Sequence, residues 1–127
     1  MAKQVVRTAR APKAIGPYSQ AISSNGLIFC SGQIALDPVS GEFEGGSVAD
    51  ETRLCMQNLT AVLDAAGVSW ADVLKVNAYL TDIGGFAEFN EVYAEFFEEG
   101  DPPARAAIGV AALPKGAQVE IECIARV

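Results

Sequence analysis

Tyr18-Ser-Gln-Ala-Ile-Ser-Ser-Asn-Gly-Leu-Ile-Phe-Cys-Ser-Gly-Gln-Ile34 holds two strand-like arms, 18–24 and 27–34, around Asn25-Gly26. Asn-Gly supplies the positive φ angles of a type I′ turn, so the stretch predicts a β-hairpin. Leu27-Ile-Phe-Cys30 is apolar at consecutive positions, and both faces of that strand therefore ask for burial. Downstream, Asp37-Pro-Val-Ser-Gly41 and Gly45-Gly46 are turn chemistry. Ser47 with Asp50 then forms a capping box, and Gly67 is a C′ stop. Between them Val48, Cys55, Leu59, Val62, Leu63 and Ala66 share one helix face. Val73–Leu80 reads as a strand. Phe86, Phe89, Tyr93, Phe96 and Phe97 mark a second amphipathic helix, closed by Gly100 and stopped by Asp101-Pro-Pro103. Arg105–Val110 and Val119–Val127 are the last strands, and in the latter Val119, Ile121, Cys123 and Ala125 alternate with Gln118, Glu120 and Glu122. The order ββ-α-β-α-ββ predicts one α+β domain over residues 1–127, a mixed sheet with two helices on one face. The uncovered face, and the doubly apolar Leu27–Cys30, predict self-association of the sheet into a homo-oligomer.

Composition excludes several functions. A net charge of −7 argues against a nucleic-acid partner, whose affinity draws on Lys and Arg clusters. The only basic concentration, Lys3, Arg7, Arg10 and Lys13, lies at a terminus. With no histidine there is no Ser-His or Cys-His nucleophile pair, and the commonest zinc ligand sets are missing. Three dispersed cysteines suit a reducing compartment, and no run approaches the roughly 20 apolar residues of a membrane span, so a cytoplasmic protein without membrane attachment is expected. Among candidate site residues, Arg105 is an always-charged fork at the start of an apolar strand, suited to a small carboxylate or to a local acid such as Asp101. Glu120, on the face of Glu122, could act as a base toward water or simply be solvated. Tyr18 follows the rigid turn Gly16-Pro17, and Ser31-Gly32-Gln33 ends a strand with a hydroxyl and backbone donors. Asn90 falls among the phenylalanines of the second helix, where a polar-face position is the default and the rings themselves read as core.

Singly weak, these residues in this order resemble the RidA (YjgF) family of reactive imine deaminases. The resemblance runs from Ala14-Ile-Gly-Pro-Tyr-Ser-Gln-Ala21 through Ser31-Gly-Gln33 to the end, and its most specific part is Pro103-Ala-Arg105 with Leu113-Pro114 and Val119-Glu-Ile-Glu122. It implies a chorismate-mutase-like fold, a homotrimer around a central sheet barrel, and clefts between subunits. The implied reaction is hydrolysis of 2-iminobutanoate or 2-iminopropanoate to the 2-oxo acid and ammonia, with no metal or organic cofactor. By the same resemblance Arg105 would clamp the substrate carboxylate and Glu120 would activate water. Tyr18, Ser31, Gly32 and Asn90 would line the cleft, with Tyr18 across the interface from Arg105. Ala107 stands where some members carry a cysteine, which excludes a thiol role there.

Two other classes compete: a non-enzymatic regulator that binds small carboxylates, and a ribonuclease or translation inhibitor. Glu120 discriminates the first, since a binder of acids gains nothing from a carboxylate facing its ligand. Charge discriminates the second. Purified protein is expected to show no salt-sensitive RNA binding in a filter assay. RNA cleavage that co-purified with the protein and vanished in both Arg105→Ala and Glu120→Ala would overturn that expectation.

Overall fold

The computed structural model describes residues 2–127. Eight elements follow one another: β1 (Gln4–Val6), β2 (Ala21–Ser24), β3 (Leu27–Gln33), α1 (Val48–Ala65), β4 (Val73–Leu80), α2 (Phe86–Ala94), β5 (Ala104–Gly109) and β6 (Val119–Arg126). The strands form one six-stranded mixed sheet in the order β1-β2-β3-β6-β4-β5, with only the β4–β5 pair parallel. That is the expected α+β architecture, with both helices against one face.

Local chemistry accounts for most of the boundaries. Asn25 and Gly26 have φ of 52° and 77°, which turns β2 into β3 in two residues. Ser47 Oγ accepts the Asp50 N–H while the Asp50 carboxylate accepts the Ser47 N–H, so the predicted capping box starts α1. Gly67, at φ 81°, ends it in a Schellman arrangement: the Val68 N–H donates to Leu63 O and the Gly67 N–H to Asp64 O. Period two places Val119, Ile121, Cys123 and Ala125 under the helices, with Ile28, Val76, Ala78 and Leu80 beside them on the neighbouring strands. Cys55, Met56, Leu59, Val62 and Leu63 of α1 and Phe89 of α2 close over that layer. Full burial of each large side chain contributes about 1.5–3 kcal/mol, and the sheet-to-α1 seam is therefore the main source of stability.

The structure departs from expectation at several points. β1 was not foreseen; three residues alternate too briefly to register as a pattern, and pairing of Val5 with Ile22 creates the strand. The first hairpin arm begins at Ala21, leaving Tyr18 in the preceding bend. The second helix tightens after Ala94 into a 3₁₀ turn over Glu95–Phe97. The final two strands, adjacent in chain order, are not neighbours, because the return from α2 sets β5 parallel on the outer edge of β4 while β6 enters on its other side. Burial of both faces of Leu27–Cys30 does not happen within one chain: Ile28 and Cys30 are buried, but Phe29 remains 44% exposed. Phe29 belongs to an apolar row, Val5–Ile22–Phe29–Ile124, that crosses four strands on the face away from the helices. Among the described residues no helix is long and apolar enough to cross a membrane.

Candidate active site

Arg105 is carried by β5 with its Cα beside that of buried Val76 of β4, so its side chain rises on the helix-covered face. There α2 receives it. The guanidinium carbon lies 5.2 Å from the Phe86 ring centre, 5.7 Å from that of Phe89 and 4.9 Å from that of Tyr93. Its Nη1 donates to Asn90 Oδ1 at 2.7 Å. Each ring contributes about 0.5–1 kcal/mol to holding a partly solvated cation. The local acid considered from the sequence, Asp101, is not what holds Arg105, and among the described residues no carboxylate pairs with it. The remaining guanidinium N–H groups are thus available in a fixed plane. A cavity of about 520 Å³ adjoins it, lined by Asn90, Tyr93, Phe97, Pro102, Pro103 and Arg105 itself. Ala107, two residues along β5, sits half-buried on the same face. Burial pushes the Tyr93 phenol up to about 12 although Arg105 pulls the other way, so the ring next to the cation stays neutral.

Glu120 lies elsewhere. Its neighbours Val119 and Ile121 are buried under α1, so Glu120 emerges on the opposite face of the sheet, beside Tyr79 of β4. The register of β3 shifts between Cys30 and Gln33, and within that stretch Gly32 lies against the Glu120 side chain. A Cβ on Gly32 would sit 2.6 Å from Glu120 Oε2, and glycine is required there for the carboxylate to fit. Ser31 Oγ donates to Ser19 O at 2.5 Å and the Ser31 N–H donates to Gln20 O, tying this bulge to the Tyr18 segment. Tyr18 is 52% exposed after Gly16, whose φ of 118° only glycine adopts readily. Tyr18, Gly32 and Glu120 line a second cavity of about 430 Å³ together with Lys13, Pro114 and Lys115.

The two glutamates of β6 are not equivalent. Glu122 accepts hydrogen bonds from Asn77 Nδ2 at 3.1 Å and from the Tyr79 hydroxyl at 2.8 Å, the latter raising the Tyr79 pKa. Among the described residues nothing donates to the Glu120 side chain. Burial, and then the nearby charge of Glu122, hold Glu120 above the usual carboxylate range. An unpartnered carboxylate with a raised pKa can accept a proton from water more readily than an ordinary one. Among the described residues no cluster of three or more His, Cys, Asp or Glu is placed to hold a metal ion.

The structure therefore groups the residues singled out in the sequence into two sets, Arg105, Asn90 and Ala107 on one face and Glu120, Gly32, Ser31 and Tyr18 on the other. Arg105 and Glu120 do not meet within a chain: they are two strands apart and point oppositely. The aromatic cradle was missed as a functional feature. Its signal was present, because Phe86, Phe89, Asn90 and Tyr93 are spaced i, i+3, i+4 and i+7, which puts Asn90 on the apolar stripe rather than the polar face.

The family model described as Endoribonuclease L-PSP matches residues 8–127. A RutC family protein of Pyrococcus horikoshii is 51% identical over 123 residues, covering 97% of each chain. The human 2-iminobutanoate/2-iminopropanoate deaminase is 46% identical over 123 residues, which is 97% of this chain and 89% of its own. A solved structure from Yersinia pestis, of unknown function within the conserved Rid protein family, superposes with a TM-score of 0.97 at 44% identity, covering 99% of this chain and 100% of that one.

Gly32→Ala tests the contact at the second cavity. The added methyl meets the flexible end of Glu120 rather than backbone, so the fold should survive with a melting midpoint near that of the parent. Displacing the carboxylate by about 1 Å should slow any turnover that uses Glu120 on the order of tenfold to a hundredfold. An unchanged rate would show that Glu120 need not occupy its observed place.

Proposed function

The chain belongs to the Endoribonuclease L-PSP family, the RidA (YjgF) group, and from that premise we propose that it hydrolyses reactive 2-imino acids to 2-oxo acids and ammonia at sites between subunits. The observation that carries this reading is Arg105: a guanidinium fixed by three rings and Asn90, with no acid of its own, is preorganised for a carboxylate brought from solution. The substrate carboxylate takes two parallel hydrogen bonds from that fork. Glu120 of a second copy accepts a proton from water as its oxygen attacks C2 of the protonated imine. Glu120 returns that proton to the nitrogen of the resulting carbinolamine, then takes up the hydroxyl proton as the C–N bond breaks, which releases ammonia and the 2-oxo acid, and finally loses it to solvent. An imine carbon is already electrophilic, and the barrier left for the enzyme is small, which suits a site with one cation and one base. The deaminase name of the human relative supports the same chemistry. The family description favours a second reading, RNA cleavage. A net charge of −7 and the lack of histidine weigh against it, since that reaction draws on an acid–base pair and cationic stabilisation.

Assembly is part of the proposal. The apolar Val5–Ile22–Phe29–Ile124 row gives a second copy something to cover, and opposite-facing half-sites need that copy to be completed. By resemblance to the family we infer a homotrimer around a central barrel of sheets, acting in the cytoplasm.

Catalysis and binding separate in variants. Arg105→Lys keeps the charge but not the fork, and loss of the paired contact should cost about 2–4 kcal/mol in binding of 2-oxobutanoate by calorimetry, with turnover lost alongside. Glu120→Gln should bind 2-oxobutanoate as the parent does while imine hydrolysis collapses. Wild-type turnover in Arg105→Lys removes the clamp, and in Glu120→Gln it leaves a carboxylate binder. The readout is release of 2-oxo acid from 2-aminoacrylate generated in situ from serine by a PLP-dependent dehydratase.

Mixing tests the intersubunit site. Arg105→Ala and Glu120→Ala chains, each inactive alone, should regain activity when co-refolded, because some clefts then combine an intact Arg105 with an intact Glu120. Light scattering should give one species near three times the 13.3 kDa chain mass. No recovery on mixing, or a stable monomer, would refute the shared cleft.

A further inference from the structure

Glu51 is the one carboxylate that lies fully inside the described structure, 1% exposed in the first turn of α1, and it has no cationic partner. Burying a charge this way is costly unless strong donors replace water. Here both donors come from one residue: the Gln118 backbone N–H at 2.8 Å and Gln118 Nε2 at 2.6 Å. The same Nε2 also donates to Gly46 O at 2.8 Å, and the Gln118 carbonyl accepts the Thr81 N–H at 3.1 Å. Gln118 is thereby held from α1, from the loop before it and from the end of β4. It occupies the junction between the tight Pro114–Gly116 turn, with Lys115 at φ 58°, and β6. Two residues later the chain presents Glu120, which has no room to spare against Gly32.

We propose that Glu51 is a positioning residue for Glu120: by gripping Gln118 through backbone and side chain together, it fixes where β6 begins and so where the Glu120 carboxylate stands in its cavity. The inference rests on the reading of Glu120 as the base. An apolar contact between α1 and the turn would fasten the same elements, but it is not directional. Two charge-assisted hydrogen bonds to one residue set both its height along β6 and its orientation. The gripped residue closely follows Pro114 and Lys115, which form part of the wall of the Glu120 cavity. The groups that bear on Glu120 are Glu122 on its own strand, Tyr79 of β4, Lys13 and Tyr18 ahead of β2, Lys115 of the turn and the buried Cys55 of α1.

Glu51→Gln is the decisive variant, since an amide cannot accept from both donors with its two ends. Turnover, its pH profile and 2-oxobutanoate binding are measured beside the parent, Glu120→Gln and Thr52→Val. The last removes the partly buried hydrogen bond of Thr52 to Val48 O in the same helix turn without touching Gln118. Glu51→Gln should bind 2-oxobutanoate like the parent yet turn over about tenfold more slowly, the scale of a modest misplacement. Its acid limb should move to lower pH, because a carboxylate that leaves its confined position titrates closer to its ordinary range. Thr52→Val should lose melting temperature but neither rate nor limb. Parent-like rate and profile in Glu51→Gln would overturn the inference, as would equal slowing in Thr52→Val. Should Glu51→Gln not fold, Gln118→Leu keeps the backbone bond and loses the side-chain one; it should slow turnover less, with binding intact, and a parent-like rate there would also overturn it. Parent-like turnover in Glu120→Gln would instead remove the reading beneath the inference, so the two failures are distinct.

Discussion

The alternation of side chains along β6 governs much of this molecule. β6 lies between β3 and β4 near the middle of the sheet, and four of its residues are buried beneath α1 and α2. Once Val119, Ile121, Cys123 and Ala125 are committed to that core, Glu120, Glu122 and Ile124 must face the other way. A one-residue slip would drive two carboxylates into an apolar layer, a cost large enough to leave only one register. The same alternation, passed through β4 to β5, sends Arg105 to the helix face. The separation of Arg105 from Glu120 within each chain is a consequence of how the core is built.

Arg105 and Glu120 are each stiffened by a different kind of contact. Arg105 is held by ring faces and a single amide oxygen, which orient the guanidinium without neutralising it. A carboxylate neighbour would have held it more strongly and occupied the same donors. Glu120 is held by shape, with Gly32 leaving just enough space, while Asn77 and Tyr79 satisfy Glu122 instead. The structure thus sorts two glutamates of like spacing into one tied down and one left free. Cys55 and Cys123 are buried with their pKa values raised, so these thiols behave as small apolar side chains under α1.

The apolar row across Val5, Ile22, Phe29 and Ile124 belongs to the same logic. Two helices cover one face of a six-stranded sheet, and the row lies on the other. The sequence carried this as an excess of apolar residues at Leu27–Cys30 that no single layer of helices could absorb. It did not carry the alignment of four strands that turns single residues into a continuous surface, because strand neighbours depend on pairings between segments far apart in the chain.

Local chemistry made the hairpin at Asn25-Gly26, the capping box at Ser47, the stop at Gly67 and the alternation of β6 legible, since each depends on backbone preferences or on a period of two or 3.6 within a few residues. The sequence by itself therefore determined the α+β class, both helices, five of the six strands and the identity of the polar residues that stand out from apolar strands. Tertiary structure decided β1, the insertion of β4 between β5 and β6, the ring cradle around Arg105, the hydrogen bonds that tie Glu122 and leave Glu120 free, and the grip of Glu51 on Gln118. All of these are contacts between residues distant in sequence, and no local period or propensity encodes which distant segments become neighbours.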